Sequence, residues 1–149
     1  MKINSKSSFE TKSLGRNFSK ILKKQDIVLL EGELGGGKTT FVKGVARGLG
    51  YKGKVLSPSY TLVRRYKVSK LTINHIDLYR LDKKSLGSID MQEYLYNKNT
   101  ISIVEWGQKL ESYLDKYLIV KFSFLEMEKR ELSFSQKGYN KNRLKGFVK

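Results

Sequence analysis

Ile27-Val28-Leu29-Leu30-Glu31-Gly32-Glu33-Leu34-Gly35-Gly36-Gly37-Lys38-Thr39-Thr40 decides how the rest of the chain is read. Four consecutive apolar residues suit a short strand buried on both faces. A glycine-dense turn follows. Phe41, Val42, Val45, Ala46 and Leu49 then recur at helical spacing, and Gly50 stands where a glycine stops a helix. From Gly32 to Thr39 the turn matches G-x-x-x-x-G-K-[ST]. Such a turn curls successive N–H groups around a phosphate, and bare glycines let the anion approach. The helix after it adds unpaired N–H groups and the positive end of its dipole. Glu33, Leu34, Gly35, Gly36, Gly37, Lys38, Thr39 and Thr40 are therefore the candidate nucleotide-binding residues. Lys38 can reach the β- and γ-phosphates, and the Thr39 hydroxyl can ligate Mg²⁺.

Working outward, residues 9–22 read as a helix, with Ser7 and Glu10 at capping-box spacing and Leu14, Phe18, Ile21 and Leu22 on one face. Residues 60–68 and 71–77 read as a hairpin, 81–96 as a polar, partly helical stretch, and 101–105 as a strand. A short helix is expected near 108–114. Residues 117–125 and 130–136 then form a closing antiparallel pair. This pattern predicts a single α/β domain over 1–149, a P-loop NTPase-like sheet of mixed parallel and antiparallel strands with flanking helices.

A phosphate cradle only binds; hydrolysis or transfer also needs a carboxylate to orient a metal ion. Asp77 follows Ile73-Asn74-His75-Ile76, and Glu105 follows Ile101-Ser102-Ile103-Val104. In an open α/β sheet ligands gather beyond the carboxyl ends of parallel strands, where either acid can hold Mg²⁺ directly or through water. Thr39, Glu105 and Asp77 are thus the candidate metal-linked residues.

Composition narrows the rest. Within 149 residues there is no cysteine and one histidine, which removes disulfides, thiolate metal sites and cysteine nucleophiles. No apolar run reaches the roughly 18 residues of a membrane span, and Met1-Lys2-Ile3-Asn4-Ser5-Lys6 lacks a secretory apolar stretch, so a cytoplasmic protein without membrane contact is expected. The net charge is +16, densest toward both ends. A basic surface attracts polyanions, yet lysine, the weaker bidentate phosphate reader, supplies most of the cations. A lysine-rich coding bias and a nucleic-acid contact both account for it.

Four blocks together resemble one family: residues 32–40, Ser57-Pro58-Ser59-Tyr60-Thr61-Leu62-Val63, His75-Ile76-Asp77-Leu78-Tyr79-Arg80-Leu81, and Val104-Glu105-Trp106. Their order and spacing are similar to the bacterial TsaE (YjeE) family, the small ATPase of threonylcarbamoyladenosine tRNA modification. The resemblance implies a P-loop fold that binds ATP and Mg²⁺ and hydrolyses ATP slowly alone. It also implies work with the TsaB–TsaD heterodimer, which modifies adenosine beside the anticodon. Carried over by position, it implies phosphate contact for Lys38, Mg²⁺ for Thr39, and metal and water organisation for Asp77 and Glu105. Residues 57–61 resemble a switch-like loop, with Thr61 its candidate catalytic hydroxyl beside Lys38, Asp77 and Glu105. Gly36, Ser59 and Gly107 depart from the family's usual alanine, threonine and proline, and none removes a catalytic group.

Other readings share parts of this pattern. A small-molecule P-loop kinase needs an acceptor pocket and an arginine-bearing lid, and beyond Glu105 the only arginines are Arg130 and Arg143. A basic nucleic-acid binder is suggested by charge alone, and no zinc-finger, coiled-coil or aromatic RNA-binding signature accompanies it. A signalling GTPase would carry Asp-x-x-Gly and Asn-Lys-x-Asp blocks, which are missing.

Overall fold

The buried run at 27–31 becomes the middle of a seven-stranded sheet in the computed structural model, which describes residues 1–147. The elements are β1 (Lys2–Ser5), α1 (Ser8–Phe18), β2 (Ile27–Glu31), α2 (Lys38–Gly48), β3 (Val63–Val68) and β4 (Leu71–Asp77). They continue with α3 (Lys83–Gly87), α4 (Gln92–Leu95), β5 (Thr100–Glu105), β6 (Tyr117–Glu126) and β7 (Lys129–Lys137). Strand order is β1-β7-β6-β2-β5-β4-β3. The pairs β6–β2, β2–β5 and β5–β4 are parallel, while β1–β7, β7–β6 and β4–β3 are antiparallel.

Because side chains alternate across a strand, β2 feeds two cores. Val28 and Leu30 join Phe41, Val45 and Ile103 under α1 and α2; Ile27 and Leu29 join Leu110, Leu114 and Val104 on the other face. Helix α1 starts as its sequence predicts, with Ser7 Oγ accepting the Glu10 N–H at 3.2 Å. Glu10 Oε2 reaches back to the Lys6 N–H at 2.8 Å rather than to the cap residue itself. Such a cap stabilises a helix by about 1 kcal/mol. Helices α1 and α2 touch backbone to backbone, since a Cβ on Gly15 or Gly44 would collide with the carbonyl oxygen of Phe41 or Lys12.

Four expectations change at their edges. The helix expected over 9–22 is α-helical only to Phe18 and tightens into a 3₁₀ turn at Ser19–Ile21. The strand expected from 60 begins at Val63, because the Thr61 and Leu62 N–H groups both bond to Pro58 O and Leu62 has a φ of +66°. Residues 81–96 hold two separate short helices, and 108–114 is a 3₁₀ turn at Gly107–Tyr113. Strand β1 was not foreseen; it completes the sheet by pairing Lys2–Ser5 with Arg130–Ser133.

Candidate nucleotide and metal site

The parallel centre of the sheet brings three carboxyl ends to one edge. Leu30 pairs with Glu105, and Glu105 pairs with Asp77, so the glycine turn leaves β2 directly beside both acids. Period-two alternation puts His75 and Asp77 on the same face as Ile73, and Glu105 on the same face as Ile103, which is the face covered by α2. Thr39, in the first turn of α2, meets them there.

The turn itself closes through Gly36 N–H to Glu33 O at 3.0 Å, and Gly37 caps α2 with a φ of +101°, a conformation glycine adopts without strain. Lys38 Nζ curls over the turn and donates to Gly32 O at 2.6 Å and Glu33 O at 2.8 Å. It also lies 4.5 Å from the Trp106 ring centroid. Burial lowers the Lys38 ammonium from the ordinary lysine value, and Glu105, Asp77 and Glu33 partly offset that. Trp106 is itself held at a φ of +60° and packs on Tyr79 at 5.1 Å, a strained position directly after an acid.

Glu105 is 4% exposed, and its Oε1 accepts from Thr39 Oγ1 and from His75 Nε2, both at 2.7 Å. Neither bond uses Oε2. Asp77 accepts from Ser59 Oγ at 2.9 Å and from the Tyr79 N–H at 2.8 Å. These two carboxylates and one hydroxyl are hard oxygen donors on one edge. They suit a divalent cation that keeps water and phosphate among its ligands, as Mg²⁺ does. Among the described residues no group of three or more His, Cys, Asp or Glu forms a self-sufficient metal cage, which such a cation does not require.

Behind Glu105 runs a buried chain. His75, 0% exposed, has Nδ1 3.1 Å from Tyr66 Oη, and Tyr66 Oη lies 3.0 Å from Leu56 O and 3.3 Å from Leu56 N. Tyr66 Oη thus links the His75 ring to the Leu56 backbone. Leu56 immediately precedes the 57–61 loop. His75 is thus hydrogen-bonded at both nitrogens.

The cleft, about 190 Å³, is lined by residues 34–40 with Ser57, Ser59, Asp77, Glu105, Trp106 and Arg130. Every candidate on the turn except Glu33 reaches it, and Glu33 contributes its carbonyl to Lys38. Thr61 does not line it. Its side chain is exposed beside Arg64–Tyr66, and the hydroxyls in the cleft are those of Ser57 and Ser59. Larger hollows, about 470 Å³ between α1 and α2 and about 890 Å³ beside residues 79–83, hold neither of the strand-end acids. Arg80 lies over the Tyr60 ring at 4.1 Å, and Arg65 pairs with Glu93 at 3.2 Å. Arg130 is the site residue that the sequence did not single out. Nothing in its local pattern separates it from Arg143, which instead forms a forked pair with Asp26 at 2.6 and 2.9 Å.

The profile of the family described as threonylcarbamoyl adenosine biosynthesis protein TsaE matches residues 5–132. A Haemophilus influenzae protein named tRNA threonylcarbamoyladenosine biosynthesis protein TsaE is 33% identical over 146 residues, covering 93% of this chain and 92% of its own. A Bacillus subtilis protein of the same name is 34% identical over 130 residues, covering 87% and 81%. The crystal structure of Bacillus subtilis YdiB superposes with a TM-score of 0.78 at 30% identity, covering 94% of this chain and 86% of that one.

Proposed function

This chain belongs to the TsaE family, and on that premise we propose that it is the ATP-binding, ATP-hydrolysing accessory subunit of tRNA threonylcarbamoyladenosine biosynthesis, acting in the cytoplasm with the TsaB–TsaD complex. One observation carries the reading. A phosphate-type turn ends in Thr39, whose hydroxyl bonds to Glu105 at 2.7 Å, with Asp77 on the same strand-end edge.

In this reading the amides of 35–40 and the α2 N-terminus take the phosphates, and Lys38 leaves the Gly32 and Glu33 carbonyls for the β/γ oxygens. Thr39, Glu105 and Asp77 would hold Mg²⁺, and Asp77 also tethers the 57–61 loop through Ser59. A divalent cation held there would neutralise charge developing on the phosphate oxygens. Ser59, rather than Thr61, then presents the loop hydroxyl nearest the acids. Weak turnover alone fits a site whose loop is tied down by few contacts and awaits a partner.

Where the chain touches tRNA itself, we place the contact in the groove between α1 and α2. It gathers Lys12, Arg16, Lys43, Arg47 and Lys54, no acid, and an exposed Phe9. No salt bridge among the described residues engages these five cations. The kinase reading lacks an arginine-bearing lid, because Arg143 is locked to Asp26 and Arg130 is carried on the paired strand β7.

The test is co-purification with TsaB–TsaD, with and without ATP, followed by a hydrolysis assay. ATP-dependent association and turnover raised by the partners support the proposal. Phosphorylation of a metabolite panel without partner dependence contradicts it.

A further inference from the structure

The phosphate turn is flanked on both sides. Strands β5 and β4 bring Glu105 and Asp77 from one flank of β2; β6 and β7 lie on the other. From that second flank the β6–β7 hairpin sends one cation back over the turn. Arg130 stands in register with Phe124, with its guanidinium 5.5 Å from that ring. Its Cδ and Nε lie 3.3 Å from the position a Gly37 Cβ would occupy.

The hydrogen bonding of this guanidinium is incomplete. Nη1 donates to Glu128 O at 2.6 Å, Nη2 makes only a long contact to Gly35 O at 3.4 Å, and Nε is buried without any acceptor. On the same hairpin Glu126 pairs with Lys129 and Glu131 with Lys2, and Glu128 meets Arg130 through its carbonyl. No carboxylate among the described residues pairs with Arg130. A rigid fork of donors, partly unsatisfied and facing a ring of phosphate-binding amides, is built for an anion.

We propose that Arg130 is a second phosphate-binding cation of the nucleotide site, delivered by the chain's own C-terminal hairpin to the phosphate oxygens that ATP and ADP share. The flank decides which oxygens. The phosphate that is cleaved belongs with the acids on the β5 side, so a cation entering from the β6 side meets the part that stays. This rests on the nucleotide reading above, and its test separates the two.

Calorimetric titration of the full chain with Mg–ADP and with a non-hydrolysable Mg–ATP analogue compares wild type with Arg130→Gln and Arg130→Lys. Arg130→Gln is expected to raise Kd for both nucleotides by about tenfold, the loss of one charged contact. Arg130→Lys keeps the charge without the fork and should recover part of the affinity. An unchanged Kd for ADP overturns the proposal, and so does a loss confined to kcat. On the wild-type chain alone, the Arg130 Nε–H resonance must move when Mg–ADP is added, which keeps the test open should a variant fold poorly; a resonance that stays put under saturating ADP overturns the proposal. A wild-type chain that binds neither nucleotide refutes the nucleotide reading as a whole and this proposal with it.

Discussion

Removing one oxygen atom at Tyr66 tests whether the chain from Glu105 to Leu56 organises the site. In Tyr66→Phe the ring keeps its place, stacked on Tyr51 at 4.8 Å, and only the hydroxyl goes. Burial pushes the Tyr66 phenol above its ordinary value, so a neutral hydroxyl is what the wild type holds there. Two losses follow. His75 Nδ1, sealed from water, loses its partner, a cost of about 1–3 kcal/mol. The bonds to Leu56 contribute a further 0.5–1.5 kcal/mol at most, roughly, because Leu56 is 40% exposed and its backbone can turn to water. For a chain of this size each kcal/mol lowers Tm by about 2–4 °C, so a fall of roughly 3–18 °C is expected by circular dichroism. Freed from Tyr66, the imidazole no longer fixes Glu105, and kcat for ATP in the presence of partners should drop about tenfold, near 1.4 kcal/mol. ATP affinity should stay within about threefold, since the phosphate amides are untouched. Tyr51→Phe removes a hydroxyl outside the chain and serves as control. A Tyr66→Phe protein with wild-type Tm and wild-type kcat refutes the reasoning.

Glu105→Gln keeps an acceptor for Thr39 and His75 but removes the charge, so kcat should fall about 10²–10⁴-fold while nucleotide Kd changes little; equal kcat in single-turnover assays contradicts the metal role. Lys38 is lowered by burial, so in the alkaline window below the ordinary lysine value the free site loses its proton before an unfolded chain does. Triphosphate favours the charged form, so binding there takes up a proton and affinity falls as pH rises. Calorimetry in two buffers of different ionisation enthalpy reads this directly, and identical enthalpies contradict it. Asp26→Ala strands the mostly buried Arg143 guanidinium and should cost about 3–5 kcal/mol in urea unfolding, with no effect on nucleotide Kd beyond the stability loss. A change under 1 kcal/mol, roughly, would make that pair an ordinary surface contact.

The strand, turn and helix at 27–49 were legible because each link is local: apolar run, glycine spacing, helical stripe. Asp77 and Glu105 were legible as strand ends, and the parallel register then set them side by side. What the sequence could not show depends on pairings between distant segments. Arg130 reaches the phosphate turn only because β6 chose β2 as its neighbour. His75 is satisfied at both nitrogens only because β3 pairs with β4 in the register that sets Tyr66 opposite Ile73. Strand β1 is four residues, three of them polar, and only its pairing with β7 makes it a strand. The 57–61 segment looked strand-like toward its end, yet Pro58 O collects two successive amides and turns the chain, carrying Thr61 away from the cleft.

Mg–ATP titrated calorimetrically into the wild-type chain and into Lys38→Ala bears most directly on the account. Saturable one-to-one binding by the wild type, weakened at least tenfold in the variant, is the predicted result. Equal affinities, or no heat from the wild type at any accessible concentration, would contradict it.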